Sequence, residues 1–182
     1  MCRHDTLPAM PAPHGTTAIS FRAMQLQDLP LIHAWRLQPH LQPWWFDPGT
    51  LAAFTARYAP RIEPGSDVHG YIACRGAEAI GFMQCYLGSE PGERGIDQFL
   101  AHAHQLGQGL GTAMVRAFVE SLFDEPTVTR VVTDPAPLNQ RAIRCYRRVG
   151  FVDQGEVQTP DGPALLMACT RTSLMAAAAA MT

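Results

Sequence analysis

The amino-acid sequence predicts an α/β fold in which helices flank a mixed β-sheet, and two observations lead to this prediction. Runs of β-branched and aromatic residues separated by turn residues occur in the middle of the chain and again near its end, a pattern typical of antiparallel hairpins. Between them, strand and helix patterns alternate, which indicates a crossover connection. The chain has 182 residues, of which 47% are hydrophobic and 16% charged. This length and composition suit one domain with a sizeable core.

The first third of the chain is predicted to form one strand and two short helices. Residues 18–24 alternate as a strand, and residues 29–37 place apolar side chains at helical spacing. Asp28 is predicted to cap this helix, because an aspartate before the first turn accepts backbone N–H groups and complements the helix dipole. An aromatic loop over residues 42–49 then leads to a second helix over residues 50–58.

The middle of the chain carries the firmest strand pattern. Residues 68–74 and 79–87 are rich in β-forming residues and are separated by a short turn, so we expect an antiparallel hairpin. Residues 88–95 are predicted to be a polar turn, and residues 96–101 a short strand. The chain therefore enters its second half with three strands in succession.

The second half of the chain alternates helix and strand before it closes with a hairpin. From Thr112 onward, apolar residues recur on one face of a helix. A strand is expected over residues 128–133 and a helix over residues 139–149. Residues 151–157 and 165–170 are predicted to form the last hairpin, around a turn rich in proline, glycine and aspartate.

The charged residues exclude several classes of protein. All 14 basic residues are arginine, so a phosphate-loop lysine and a Schiff-base lysine are both excluded. The formal net charge is −2, which gives no electrostatic attraction for a nucleic-acid backbone or an anionic membrane. We therefore expect neither nucleic acid nor a membrane as a partner.

The cysteines and the chain termini indicate where the protein works. The five cysteines are odd in number and form no C-x-x-C pattern, so we expect reduced thiols and no metal site. No apolar run approaches the roughly 20 residues of a membrane span. We expect a cytoplasmic protein with a flexible leader over residues 1–17, one domain over residues 18–172 and an alanine-rich tail over residues 173–182.

A glycine-rich segment lies between a predicted strand and a predicted helix. Backbone N–H groups at such a helix start can hold a phosphate, but the same pattern also occurs as a purely structural turn. The spacing disfavours a dinucleotide-binding fold, whose motif needs a glycine where a threonine stands. The segment consists of Gly107, Gln108, Gly109, Leu110, Gly111 and Thr112.

A second motif lies on the helix predicted over residues 139–149. Asn139, Ala142, Tyr146 and the pair Gly150-Phe151 form the pattern N-x-x-A-x-x-x-Y-x-x-x-G-F. Together with the glycine-rich segment and the strand between them, this motif resembles the Gcn5-related N-acetyltransferases (GNAT). The resemblance implies the GNAT acyl-CoA N-acyltransferase fold. In that fold a mixed, mostly antiparallel sheet splays between its fourth and fifth strands, where acetyl-coenzyme A binds.

Five segments, which include parts of these two motifs, narrow the resemblance to aminoglycoside 6'-N-acetyltransferases of the resistance type. The resemblance implies transfer of acetyl from acetyl-coenzyme A to the 6'-amine of an aminoglycoside, by direct transfer in a ternary complex. It implies these two partners. We expect no metal, and we expect a monomer or a homodimer. The segments are residues 94–100, 106–112, 133–135, 141–146 and 159–163.

The resemblance also implies roles for individual residues. Asp97 is expected to hold and deprotonate the substrate amine, and Tyr146 to protonate the leaving sulfur. Residues expected to contact the acceptor are Trp44, Trp45, Gln84, Tyr86, Asp97 and Asp134. Residues expected to contact acetyl-coenzyme A are Gln98, Phe99, Leu100, Gly107, Gln108, Gly109, Leu110, Gly111, Thr112, Asn139, Ala142 and Tyr146.

Several of these residues also have a structural interpretation. Asp134 before a proline can be a turn former, Tyr146 a core residue and Asn139 a helix cap. Two adjacent tryptophans cannot both face inward on a strand, so we expect one of them to meet ligand. Two other functions stay open: a related acyltransferase acting on a siderophore hydroxylysine or a protein N-terminus, and a non-catalytic acyl-coenzyme A-binding module.

Residues 88–95 are shorter than the acidic segment of the resistance enzymes that this sequence resembles. Recognition of a polycation needs several carboxylates. Glu90 and Glu93 are expected to supply part of that negative charge.

Overall fold

The structure is a computed structural model that describes residues 18–180, so the expected leader over residues 1–17 lies outside the described residues. The predicted order of strands and helices is confirmed, with a further helix at the C-terminal end. The strands are β1 (Ile19–Ala23), β2 (Val68–Arg75), β3 (Glu78–Leu87), β4 (Glu93–Leu100), β5 (Arg130–Thr133), β6 (Val152–Thr159) and β7 (Gly162–Cys169). The α-helices are α1 (Leu29–Arg36), α2 (Leu51–Tyr58), α3 (Leu110–Phe123), α4 (Gln140–Val149) and α5 (Arg171–Ala179).

The strands form one mixed sheet in the order β1-β2-β3-β4-β5-β7-β6. The pairs β1–β2, β2–β3, β5–β7 and β6–β7 are antiparallel, which confirms both predicted hairpins. Strands β4 and β5 are parallel, and their register runs from Glu93 opposite Arg130 to Gly95 opposite Val132. Strand β4 continues beyond this register to Leu100. The predicted mixed sheet flanked by helices is confirmed.

The chain forms two compact units, of which the first comprises residues 18–86 and 98–106. Gly81 on β3 allows a close approach to the end of β4, because a side chain there would collide with the carbonyl oxygen of Phe99. The Ala101 N–H donates to the Ile80 carbonyl at 2.9 Å. The apolar core of this unit contains Met24, Leu29, Ile32, Trp35, Leu41, Phe54, Tyr58, Ile72, Phe82, Phe99 and Ala101.

The second unit comprises residues 87–97 and 107–180 of the described chain. Helix α4 buries Ile143, Tyr146 and Val149, and α5 buries Leu174. The alanine-rich tail expected from residue 173 lies largely within α5. The apolar face that the sequence predicts for α3 is buried, as expected from its helical spacing, and its members are Met114, Val115, Phe118, Val119 and Leu122.

Strand β4 begins at Glu93 rather than at residue 96, so the prediction of a polar turn over residues 88–95 is wrong at its C-terminal end. Glu93 is buried, pairs with Arg130 of β5 at 3.2 Å and accepts the Ser89 N–H at 3.1 Å. These partners compensate the burial of a charge that would otherwise be costly. Glu93 is therefore engaged within the sheet, whereas Glu90 is exposed.

The structure also corrects the role of Asp28, whose side chain makes no cap bond to α1. Asp28 is instead the last residue of a 3-10 helix, Leu26–Asp28, and accepts the Gln25 N–H at 2.9 Å. Its two carboxylate oxygens accept two hydrogen bonds from the Arg22 guanidinium, both 2.7 Å long. The carboxylate therefore ties β1 to the start of α1, because a bidentate pair fixes geometry as well as charge.

We expect Asp28→Asn to lower the free energy of unfolding by about 2 kcal/mol at neutral pH, because hydrogen bonds to a charged group are lost. Burial raises the pKa of Asp28, but the hydrogen bonds from Arg22 and Gln25 outweigh this, so the net pKa lies below its usual value. A lowered pKa stabilises the fold above the unfolded-state pKa, and this contribution is lost as the pH falls through the folded-state pKa. The difference in the free energy of unfolding between wild type and variant, measured by urea unfolding, should therefore be smaller at acid pH than at neutral pH.

The matched control for this prediction is Glu78→Gln, which breaks the exposed pair between Glu78 and Arg75 at 3.4 Å. An exposed pair contributes little, so this variant should change the stability by less than about 1 kcal/mol. Equal effects of the two substitutions would contradict the assignment of a stabilising role to Asp28.

Candidate active site

The glycine-rich segment forms the turn that leads into α3. Gly107 and Gly109 have φ angles of +76° and +78°, in the left-handed region that favours glycine. Gly109 is the N-cap residue, so α3 begins at Leu110 rather than at Thr112 as the sequence predicts. No side chain caps this helix, and a Cβ added to either glycine would meet nothing within 4 Å. The helix start is therefore open.

The open start of α3 has the features of an anion-binding site, and the pyrophosphate of acetyl-coenzyme A is the anion expected there. The first N–H groups of an α-helix lack partners within the helix, and the helix dipole favours an anion there. The first turn of α3 contains no acidic residue that would oppose an anion. Leu110, Gly111 and Thr112, the first three helical residues, could hold the phosphates through their backbone N–H groups.

We expect Gly109→Ala to raise the KM for acetyl-coenzyme A about tenfold, because a methyl group would enter the open space and the left-handed φ costs about 1–2 kcal/mol. Steady-state kinetics with varied donor measures this effect. Gly65→Ala is the control, since Gly65 also has a positive φ (+85°) and open space but lies far along the chain from the motif. A similar donor KM in both variants would contradict a phosphate-binding role for the turn.

Helix α4 carries the second sequence motif and contacts the start of α3. The hydroxyl of Thr112 donates to the Cys145 sulfur at 3.6 Å. Asn139 accepts the Ala142 N–H at 3.2 Å, so the helix cap suggested by the sequence is confirmed. Burial raises the pKa of the Cys145 thiol, which keeps it protonated. Thr112 and α4 are therefore close together in the second unit.

Tyr146 lies on the buried face of α4 and is only 4% exposed. Its ring centroid is 5.2 Å from that of Phe151, in a tilted arrangement. The ring therefore packs in the core, as the structural interpretation of the sequence allows. Core packing of the ring is compatible with a proton-donor role for the hydroxyl, because the two use different atoms.

Strand β4 carries Asp97 and Gln98, both half-buried. Ile96 before them and Phe99 after them are buried. The Gln98 Oε1 is buried and has no hydrogen-bond partner within residues 18–180. An orphaned buried acceptor is costly, so this oxygen fits an N–H group of a bound molecule, such as a pantetheine amide.

The tryptophan pair divides between the core and the solvent. Trp45 is half-buried and its ring lies 5.2 Å from Phe99, edge to face. Trp44 is 38% exposed. The Leu100 carbonyl, next to Phe99, accepts a hydrogen bond from His40 Nε2 at 3.0 Å. The structure thus brings Trp45 and Phe99 together and leaves Trp44 available at the surface.

Gln84 and Tyr86 lie on β3, with Gln84 buried and Tyr86 half-buried. The Gln84 amide oxygen accepts a hydrogen bond from Arg61 at 2.6 Å. The Arg61 guanidinium lies over the Tyr58 ring, 4.1 Å from its centroid. Gln84 therefore takes part in a polar network of the first unit, and its expected contact with the acceptor stays a prediction.

Asp134 follows β5 and is half-buried. Burial raises its pKa, and the negative charge of Asp161 raises it further. Asp161 lies in the exposed turn between β6 and β7, and the Leu165 N–H donates to the Pro135 carbonyl at 2.9 Å. The sequence patterns did not single out Asp161 as a site residue, because a Pro-Asp-Gly-Pro turn needs no functional explanation. The structure joins it electrostatically to Asp134.

The described residues contain neither a cluster of metal ligands nor a helix that could span a membrane. Within the described part of the chain, no three His, Cys, Asp or Glu side chains are grouped as metal ligands. No helix there is long and apolar enough to cross a bilayer.

Comparison with known proteins identifies the family. Residues 25–159 match the acetyltransferase (GNAT) domain. The chain belongs to the GNAT family and is an acetyl-coenzyme A-dependent N-acetyltransferase.

Three relatives place it more closely within that family. The aminoglycoside N(6')-acetyltransferase type 1 of Klebsiella pneumoniae is 46% identical over 172 residues, which cover 87% of this chain and 86% of the relative. The kanamycin resistance protein of Rhizobium radiobacter is 63% identical over 83 residues, covering 46% of this chain and 77% of that protein. The structure of AAC(6')-Ib in complex with ribostamycin and coenzyme A is 43% identical, with a TM-score of 0.82 over 87% of this chain and 96% of that one.

Proposed function

We propose that this protein transfers the acetyl group of acetyl-coenzyme A to the 6'-amine of an aminoglycoside antibiotic, in a ternary complex, and so confers resistance. The observation that carries the proposal is the 46% identity to the Klebsiella pneumoniae enzyme over 87% of this chain. The GNAT match over residues 25–159 contains every residue to which the sequence patterns assign a site role. The two motifs and the relatives therefore support the same reaction.

Acyl transfer needs a neutral amine, a polarised thioester carbonyl and a protonated leaving thiol. Asp97 accepts a proton from the substrate ammonium, directly or through water. The amine nitrogen then forms the new C–N bond as the C–S bond breaks, and the nitrogen releases its second proton to solvent. Tyr146 gives its hydroxyl proton to the departing sulfur and regains one from solvent. Backbone N–H groups near Gln98 and Phe99 hold the carbonyl oxygen.

The acceptor is a polycation, and the residues assigned to it supply charge and aromatic surface. Asp134 and Asp161 are two mutually repelling carboxylates, and a bound ammonium relieves that repulsion. The exposed Trp44 offers an apolar face for a sugar ring and a π-face for a cation. The acceptor is therefore held by side chains and the donor mostly by backbone groups.

The same proposal covers the setting in which the enzyme works. It acts in the cytoplasm, where acetyl-coenzyme A is available and its thiols stay reduced. It acts as a monomer or homodimer, with the aminoglycoside and acetyl-coenzyme A as its partners. Neither nucleic acid nor a membrane takes part, which agrees with the formal net charge of −2.

The test is release of the coenzyme A thiol with kanamycin, tobramycin, gentamicin components and amikacin as acceptors, followed by NMR of the product to locate the acetyl group. A 6'-acetylated product is expected. A second series varies the donor from acetyl to longer acyl-coenzyme A thioesters, because a siderophore-type enzyme would prefer longer chains. Donor binding without turnover on any aminoglycoside would overturn the proposal and leave the other acyl acceptors to be tried.

A further inference from the structure

Arg36, at the end of α1, is a buried guanidinium that has no carboxylate partner among residues 18–180. The residue is only 4% exposed. Its hydrogen bonds within residues 18–180 go to the Tyr58 hydroxyl at 2.9 Å and to the Phe46 carbonyl, and its Nε has no partner there. Burial lowers the pKa of Arg36, the Tyr58 hydroxyl opposes this shift, and the charges of Arg57 and Arg61 add to it. An arginine still stays charged at neutral pH.

The contacts of Arg36 converge on the segment that carries the two tryptophans. We call residues 42–49 the tryptophan segment; it contains no helix or strand. The Arg36 guanidinium carbon lies 4.6 Å from the Trp45 ring centroid, and its donated hydrogen bond reaches the carbonyl of the next residue, Phe46. A cation–π contact and a charge-assisted hydrogen bond therefore hold two consecutive residues of an irregular segment.

The Trp45 ring connects the tryptophan segment to β4. Its edge-to-face contact with Phe99, at 5.2 Å, joins the tryptophan segment to the strand whose residues Gln98 and Phe99 are assigned to the donor. Phe99 is in turn fixed by stacking on Phe82, with ring centroids 5.4 Å apart. Trp44, the neighbour of Trp45, is left exposed as the ring that can meet an acceptor.

Stability alone does not explain a charge at this position. A buried charge without a counter-ion is destabilising, and apolar residues of similar volume often replace buried charged groups without loss of stability. What an apolar residue cannot supply is the pair of directed contacts to Trp45 and Phe46. The structure therefore combines a group that is costly to bury with contacts that orient a segment already assigned to the acceptor.

We propose that Arg36 is a positioning residue for acceptor binding, which fixes the tryptophan segment through Trp45 and Phe46 and thereby sets the orientation of Trp44. The inference rests on the proposed function, because the acceptor is the aminoglycoside assigned there. Arg36 touches neither substrate. Its effect is expected on acceptor affinity and not on donor affinity or on the chemical step.

The test uses Arg36→Met, which keeps the length of the side chain and removes its charge and hydrogen bonds. We expect the KM for kanamycin to rise about tenfold, because the tryptophan segment is no longer held by the cation–π contact and the hydrogen bond from Arg36. The KM for acetyl-coenzyme A and kcat should change less than about twofold. The thermal midpoint should stay equal or rise, because a buried unpaired charge has been removed.

Three further variants make the interpretation specific. Arg36→Lys keeps the charge over Trp45 but cannot reach both oxygen acceptors, so its kanamycin KM should be intermediate. Tyr58→Phe removes one of these acceptors and keeps the ring that stacks on Phe54 at 4.1 Å, and it tests the network if Arg36→Met folds poorly. Arg57→Met removes an exposed arginine from α2 and controls for net charge, so its KM values should equal those of wild type.

The outcomes separate this inference from the proposed function. If the wild type acetylates no aminoglycoside, the proposed function fails, and the positioning role for an aminoglycoside acceptor is overturned with it. If the wild type acetylates kanamycin and Arg36→Met keeps the wild-type KM, the positioning role is wrong. A lower thermal midpoint with unchanged KM values would assign Arg36 a structural role only and would also overturn the proposal.

Discussion

Asp97→Asn is expected to lower kcat by about 10²- to 10⁴-fold, the usual contribution of a positioned general base. The substitution keeps the shape of the side chain and removes its charge and basicity. Asp97 is half-buried on β4 next to the fully buried Ile96, so the strand can keep its packing when the carboxylate becomes an amide. Thiol release under saturating donor and acceptor measures kcat directly.

The pH profile distinguishes loss of a base from misfolding. Without Asp97, only acceptor molecules whose amine is already neutral in solution can react, so the residual rate of the variant should rise steadily with pH. Acetyl-coenzyme A affinity, measured by calorimetry, should match that of wild type. Asp124→Asn, an exposed aspartate just after α3, serves as the control and should behave like wild type. A variant at position 97 with nearly wild-type kcat would remove Asp97 from the mechanism and would favour a water-mediated route from another group.

Tyr146→Phe is expected to lower kcat by about 10²-fold or more, because it removes the proposed proton donor to the leaving sulfur. The buried ring and its contact with Phe151 at 5.2 Å are kept, so the variant should fold and unfold much as the wild type does. Both KM values should change little, since the hydroxyl acts in the transition state and not in ground-state binding.

Tyr71→Phe is the matched control for this variant. Tyr71 is a second buried tyrosine, on β2, and burial raises its pKa to about 12, so its hydroxyl stays protonated. Loss of that hydroxyl should leave kcat unchanged, because β2 carries no residue assigned to the site. If Tyr71→Phe and Tyr146→Phe reduced kcat equally, the effect would belong to the loss of a buried hydroxyl in general. If Tyr146→Phe had wild-type kcat, the sulfur would take its proton from elsewhere.

The sequence predicts best those helices and strands in which apolar residues recur at regular spacing. The apolar face of α3 and both hairpins could be derived from spacing alone, because side chains of a helix or strand face the core at fixed intervals. The cap at Asn139 follows from its own side chain and the next turn of backbone. Asp28 looked like a similar cap, but its carboxylate is used by Arg22, which the local pattern does not reveal.

The start of β4 could not be derived in the same way. A segment with glutamate, arginine and glycine has the composition of a turn, but its residues 93–95 pair in parallel with residues 130–132 of β5, and Glu93 also forms an ion pair with Arg130. The two residues are far apart in the chain and belong to different elements. Because its carboxylate is buried and paired with Arg130, Glu93 is less available to a cationic acceptor, and its expected contribution to acceptor binding stays a prediction.

The sequence by itself determined the order of the elements, the glycine-rich turn before α3, the motif on α4 and the exclusion of lysine-dependent chemistry. These features depend on backbone conformation and residue identity over a few neighbouring positions. The tertiary structure alone decided that Trp45 packs and Trp44 is exposed, that Asp161 acts on Asp134, and that Arg36 is buried against the tryptophan segment. These outcomes depend on which distant side chains meet, because burial and the neutralisation of charge are set by packing in three dimensions and not by local spacing.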